Sequence, residues 1–330
     1  MMAQFISKKD LLAWLEKLIQ ERTLIAPART NDLLLFQLIS RVDDIVLNSN
    51  TELSPKECFF PATETLFTVR TNEGHTELVA ETVDRETVIF GLRPCDAMGI
   101  ALIDRPFLAE PADTLYGQHR ARTILVGLAC SQPKGECFCT SLGGGPDDAT
   151  HLDILLTEVE DGYIVQAVTE RGKEILPPVA ERELPLPPTP SLEAIPTEGL
   201  PEVMKRFFEA PYWSRLADRC LHCNICAYVC PTCYCFDVRD YDTKGTVERV
   251  RSWESCQSPG FTRIAGGYDP RPTKGARLRQ RFYHKFLYFP EQFGALGCVG
   301  CGRCIRACPV NIDIREIISD IQRMGAKGGA

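Results

Sequence analysis

Cysteine carries the chemistry of this chain. Cys220, Cys223, Cys226 and Cys230 run into Pro231, and Cys298, Cys301, Cys304 and Cys308 run into Pro309. Each run has the spacing C-x2-C-x2-C-x3-C-P, in which three close thiolates wrap one cubane iron–sulfur cluster and the fourth ligates the other. Two runs therefore imply an exchange. Cys220, Cys223, Cys226 and Cys308 are expected to hold one [4Fe–4S] cluster, and Cys298, Cys301, Cys304 and Cys230 a second. A proline just past the last ligand lacks an N–H and ends the short helix there. Zinc sites draw C-x2-C pairs from two separate places to close a tetrahedron, so repeated quartets favour clusters over zinc or disulfides.

A second set of cysteines lies upstream: Cys58, Cys95, Cys130, Cys137 and Cys139. Cys95 and Cys130 each follow an expected strand (Thr87–Leu92 and Thr123–Leu128). If these strands are parallel neighbours, both thiols leave the same edge of the sheet, where α/β proteins place their sites. Cys137 and Cys139 can return to that edge on the loop containing Gly143-Gly144-Gly145. Three readings stay open for Cys95, Cys130, Cys137 and Cys139: a third iron–sulfur cluster, buried packing, since cysteine is among the most buried residue types, or another metal. Asp96 is either a ligand or a helix cap, and Cys58 reads as structural. Cys233, Cys235 and Cys256 read as packing beside a cluster, with a further site as the alternative. No acidic residue lies between Asp269 and Glu291, where Arg271, Lys274, Arg277, Arg279, Arg281 and Lys285 fall. A solvated helix face is the first expectation for these. Offsetting the charge of anionic clusters is preferred to binding nucleic acid.

Behind these residues stand 330 residues, 44% hydrophobic and 25% charged, with net charge −7. That length suits two domains with real cores. The acidic balance speaks against wholesale nucleic-acid binding. No run of about 18 uncharged apolar residues suggests a membrane span, and the opening stretch is too charged for a signal peptide. The protein is expected to stay in the cytoplasm, where cysteines remain reduced thiolate ligands.

Helices are expected over Asp10–Gln20, capped by Ser7, over Asp32–Leu47, and over Ile312–Met324. Leu66–Arg70 reads as a further strand. Leu152–Val159 and Tyr163–Val168 read as a hairpin turning at Gly162, where glycine can adopt positive φ. Eight prolines in the 25 residues 177–201 mark an extended linker. The fold class is α+β: an N-terminal α/β-type domain over 1–176, then a mainly helical, two-cluster ferredoxin-like domain over 202–330. That second domain carries a large insertion at 231–297, in which Gly275–Tyr288 is a candidate helix. No dinucleotide fingerprint, P-loop, Ser-His-Asp pattern or H-E-x-x-H is present.

Taken together, Gly91-Leu92-Arg93-Pro94-Cys95-Asp96, Cys137-Phe138-Cys139-Thr140-Ser141, Cys230-Pro231-Thr232-Cys233-Tyr234-Cys235-Phe236-Asp237 and Cys298-Val299-Gly300-Cys301-Gly302-Arg303-Cys304 resemble one family. It is the iron–sulfur beta subunit of cytoplasmic sulfhydrogenases (NAD(P)-linked nickel–iron hydrogenases), similar to the corresponding iron–sulfur subunit of anaerobic sulfite reductase, and the resemblance spans Phe59 to Ile314. It implies an electron conduit linking a flavin- and NAD(P)-binding reductase subunit to a catalytic subunit of hydrogenase, sulfite reductase or heterodisulfide-reductase type. Two other classes compete with this relay: a catalytic disulfide-reducing iron–sulfur subunit, or an iron–sulfur scaffold for nucleic acid.

Overall fold

The computed structural model describes residues 2–72, 75–243 and 245–326. Its strands are, in chain order, β1 (Met2–Ser7), β2 (Thr23–Thr30), β3 (Leu33–Leu38), β4 (Thr63–Asn72), β5 (His75–Ala80), β6 (Thr87–Leu92), β7 (Thr123–Leu128), β8 (Ile154–Val159), β9 (Gly162–Ala167), β10 (Ala180–Glu183), β11 (Phe236–Thr243) and β12 (Thr246–Trp253). Eight of them form one sheet in the order β10-β1-β9-β8-β7-β6-β2-β3, and four form another in the order β11-β12-β4-β5. With the helices between and after them, the chain is a mixed α+β structure.

The larger sheet is built around β6 and β7, which pair in parallel. Both are almost wholly buried, as expected for strands covered on two faces. Val88, Phe90, Ile124 and Val126 face the helix Lys8–Glu21 through Leu11, Trp14, Leu15 and Leu18. Ile89, Leu92 and Leu125 face the opposite way, toward Phe59, Phe60 and the helix Pro94–Phe107. Burying each such side chain stabilises the fold by about 1.5–3 kcal/mol. Ser7 caps the first helix by accepting from Asp10 N at 3.1 Å.

Residues Asp32–Leu47 do not form the expected helix. Leu33–Leu38 is strand β3, joined to β2 in a tight hairpin from Ile25↔Leu38 to Thr30↔Leu33, and only Val42–Asp44 makes a short 3-10 turn. A short apolar run reads equally as strand or helix, and the turn decides it: Asn31 takes φ 54°, a left-handed conformation that asparagine tolerates. Gly162 does begin β9, for a different reason from the one expected. Its φ is not positive; a Cβ there would stand 2.2 Å from Ile6 O and 2.7 Å from the Phe5 ring. The proline-rich stretch is extended, and its residues Ala180–Glu183 add a strand to β1.

The segment between the two cysteine runs carries two features that reach the rest of the molecule. Its hairpin β11–β12 pairs antiparallel with β4, more than 170 residues earlier. Arg251 in β12 is buried there between the carboxylates of Glu64 and Asp113. Its helix Lys274–Tyr283 runs on through a π-helical turn, His284–Tyr288. Leu278, Phe282, Tyr283 and Phe286 pack with Trp213 and with Ile317, Ile318 and Ile321 of the closing helix Ile314–Ala326, which completes a third core around the cysteine runs.

Candidate iron–sulfur centres

The two C-terminal cysteine runs adopt the same backbone path. In the first, His222 (φ 53°) and Asn224 (φ 64°) flank Cys223; in the second, Gly300 (φ 64°) and Gly302 (φ 70°) flank Cys301. Paired left-handed residues coil the chain tightly enough to turn successive thiols to one side. A one-turn helix follows in each case, Ile225–Tyr228 and Arg303–Arg306, and the last cysteine and its proline lie just past it.

The thiols do not stay with their own runs. One cavity is lined by Cys220, Cys223, Cys226 and Cys308, with Cys304 and Arg281 in its wall. A second is lined by Cys298, Cys301, Cys304 and Cys230, again with Arg281 and with Lys285. Each run thus sends its last cysteine to the other run's cavity. Donors are already aimed at the sulfurs: His222 N at Cys220 Sγ (3.4 Å), Ile312 N at Cys308 Sγ (3.2 Å), Gln257 Nε2 at Cys226 Sγ (3.2 Å) and Lys285 Nζ at Cys230 Sγ (3.3 Å). Cys223 is exposed, so the first cavity reaches the surface.

The upstream cysteines meet at a third cavity. Cys95, in the first turn of the helix after β6, Cys130, just past β7, and Cys137 and Cys139 line it together with Arg93, Asn50 and Cys301. The parallel pairing of β6 and β7 brings Cys95 and Cys130 to one edge. The loop bearing Cys137 and Cys139 is docked on the second run: Phe138 N donates to Gly300 O at 2.8 Å. A Cβ on Gly300 would stand 2.6 Å from Cys139 N and Phe138 C, so only glycine allows this approach. Asp96 is engaged elsewhere, accepting from Arg93 N (3.2 Å) and pairing with the buried Arg303 (2.7 Å). Cys233, Cys235 and Cys256 line none of the three cavities. They form a neighbouring row in which a hydrogen bond from Cys256 outweighs burial and holds the Cys235 thiol down to about 7. Cys58 packs under the sheet beside Phe59 and Phe60.

The basic stretch does not form a solvated face. Arg277, Arg281 and Lys285 are buried and lie four residues apart, on the side of the helix that packs inward. That spacing, in a stretch free of acid, is the signal by which the sequence could have revealed them. Lys285 is 2% exposed and donates to Cys230 Sγ, Thr232 Oγ1 and Gly297 O. Arg281 is 3% exposed, donates to Cys226 O, and stands between the first two cavities with its Nε unpaired. Among the described residues no carboxylate lies within salt-bridge distance of either, in contrast to Arg251. Lys56, which sequence reasoning missed altogether, is also buried, donating to the carbonyls of Cys230 (3.2 Å) and Cys233 (2.9 Å).

This arrangement fits thiolate-bound clusters. A buried cation without a counter-ion costs several kcal/mol, and here only sulfur is available to balance it. Burial pulls the Lys285 pKa down, yet the nearby sulfurs, Cys230 first, outweigh it and hold the amine above its ordinary value. As free thiols Cys298 and Cys304 would be protonated at neutral pH, since burial pushes Cys298 up to about 11 and Cys304 up to about 12. Coordination to metal deprotonates such a thiol outright. A cubane with four thiolates is an anion that needs the nearby cations.

A family model described as 4Fe-4S dicluster domain matches residues 219–312. Sulfhydrogenase 2 subunit beta of Pyrococcus furiosus is 32% identical over 313 residues, covering 90% of this chain and 91% of that protein. No solved structure matches the chain. Among the described residues no helix is long and apolar enough to cross a membrane. With a 4Fe-4S dicluster domain and a relative matched along nearly its whole length, this chain is an iron–sulfur electron-transfer protein that belongs to the family of sulfhydrogenase beta subunits.

Proposed function

We propose that the chain is the electron-relay subunit of a cytoplasmic oxidoreductase complex, passing single electrons between a flavin- and NAD(P)-binding partner and a catalytic subunit of hydrogenase or sulfite/sulfur reductase type. Cys220, Cys223, Cys226 and Cys308 hold one [4Fe–4S] cluster, Cys298, Cys301, Cys304 and Cys230 a second, and Cys95, Cys130, Cys137 and Cys139 a third. When bound, such clusters supply one-electron redox chemistry between the 2+ and 1+ states. The protein's own residues supply the rest. The cysteine loops fix each site, backbone and side-chain N–H groups stabilise charge on the sulfurs, and the aromatic and aliphatic core excludes water.

The observation that carries this reading is the sharing of walls. Cys304 lines both the first and second cavities, and Cys301 both the second and third. The three sites therefore form a single file from the exposed Cys223 into the edge of the larger sheet. A flavin on one partner would split hydride chemistry into single electrons.

The test is iron and acid-labile sulfide per chain on anaerobically purified protein, with EPR during stepwise reduction, repeated on a Cys137→Ser/Cys139→Ser double variant. The expected result is about twelve irons, falling to about eight in the variant. About eight in both would restrict the relay to the two C-terminal sites and leave the upstream cysteines as packing.

A further inference from the structure

We propose that Lys285 sets the reduction potential of the centre bounded by Cys230, Cys298, Cys301 and Cys304, and makes it the station of the relay that is reduced first. The inference rests on the ligand assignment above. It goes beyond it by giving the three sites an energetic order.

Uncompensated charge is distributed unequally among the cavities. The first has one buried cation in its wall, Arg281, and the third has Arg93, since the charge of nearby Arg303 is matched by Asp96. The second has two, Arg281 and Lys285. Among the described residues, only at the second does a full positive charge donate directly to a ligand sulfur. Lys285 Nζ lies 3.3 Å from Cys230 Sγ.

The surroundings of Lys285 hold its charge against that sulfur. Its other two bonds go to neutral acceptors, Thr232 Oγ1 (2.8 Å) and Gly297 O (2.9 Å). The Thr232 hydroxyl lies 2.8 Å from the same Gly297 carbonyl, to which it donates its proton. The ammonium is therefore clamped in place by two oxygen acceptors, with the sulfur as its only anionic neighbour in hydrogen-bond range among the described residues. A hydrophobic residue of similar length would fill this position without burying a charge, and burying one costs several kcal/mol. Reduction adds an electron to an already anionic centre. A fixed cation at the ligand sulfur stabilises the product of that step more than the reactant, and the low-dielectric surroundings strengthen the effect. Arg281 acts on the first and second sites alike, so it cannot by itself separate them; Lys285 can.

The experiment is a potentiometric titration followed by EPR on the full chain, comparing wild type with Lys285→Met and Lys285→Arg, with iron counted in each. The expected result for methionine is that one centre alone becomes harder to reduce, its reduced-to-oxidised ratio at fixed potential falling at least tenfold. For a one-electron couple that equals 59 mV. Arginine should recover most of the shift. Unmoved midpoints with iron intact would overturn the proposal. Should the methionine variant lose iron, wild-type protein grown with 15N-lysine decides: pulsed EPR of the first-reduced centre should show a weakly coupled lysine nitrogen, and its absence overturns the role of Lys285 alone. A Cys230→Ala variant that keeps its full iron and its spectra would instead overturn the ligand assignment, and this inference with it.

Discussion

Arg303 and Asp96, 207 residues apart in sequence, form a buried ion pair with 2.7 Å between Nη1 and Oδ1, both residues at most 2% exposed. Asp96 lies in the first turn of the helix that carries Cys95, and Arg303 lies between Cys301 and Cys304. The pair therefore locks the third cavity to the second. Removing one partner of such a pair leaves an unbalanced buried charge and costs about 3–5 kcal/mol. Asp96→Asn is expected to lower the unfolding free energy by that amount, measured by anaerobic urea denaturation, whereas a loss below about 1 kcal/mol, as for exposed pairs, would mean the pair is solvated.

Gly300 and Gly143 both have positive φ, yet only one is crowded. A Cβ at Gly143 meets nothing within 4 Å, while one at Gly300 meets the backbone of Phe138 and Cys139 at 2.6 Å. Gly143→Ala should cost only the left-handed conformation, about 1–2 kcal/mol. Gly300→Ala should cost more and, if Cys137 and Cys139 ligate the proposed third centre, should release that centre's iron before the rest. Iron content along a thermal ramp separates the two variants, and equal behaviour would show that the loop is not docked on the second run.

His284 lies against Tyr234, with 3.1 Å between its Nε2 and the phenol oxygen, and burial followed by the Lys285 charge pulls its pKa down to about 4. Between pH 6.5 and about 4 the unfolded chain takes up a proton that the folded chain refuses. Stability is therefore lost as pH falls through that window, by about 2 kcal/mol at pH 5. The urea midpoint should drop between pH 7 and pH 5, and His284→Gln should shrink that drop. An unchanged difference in the variant would assign the acid sensitivity to other groups.

Cys235 is held as a partial thiolate at neutral pH by the hydrogen bond from Cys256, the largest influence on it, against the opposing effect of burial. With the bond removed in Cys256→Ala, burial dominates and the Cys235 pKa rises. Alkylation of Cys235 by iodoacetamide at pH 7, followed by peptide mass mapping, should slow several-fold while iron per chain stays constant. A loss of about four irons in this variant would reveal a further centre in this row instead.

The features legible from the sequence are those whose geometry is decided within a few residues. Three cysteines with two residues between each must coil around a common centre, and His222, Asn224, Gly300 and Gly302 supply the left-handed turns that this needs. The Ser7 cap, the helix after it and the apolar strands Thr87–Leu92 and Thr123–Leu128 are local patterns of the same kind. Leu33–Leu38 is not legible as a strand because a short apolar run has no period of its own, and the need for Gly162 is hidden because it comes from Phe5 and Ile6 on another strand.

Tertiary structure decided the rest. The parallel pairing of β6 with β7 brought Cys95 and Cys130 to one edge, and the close approach at Gly300 brought Cys137 and Cys139 to the same cavity. The pairing of β12 with β4 fixed the segment between the runs against a strand from the first quarter of the chain. Packing against Trp213 and the closing helix turned Arg281 and Lys285 inward, although composition alone favours solvent for such charges. Spacing along the chain determines which thiols can share a centre, because a loop of seven residues has few ways to fold. Which charges and which second loop surround that centre depends on contacts closed over one to two hundred residues, and those are set by the packing of the whole core.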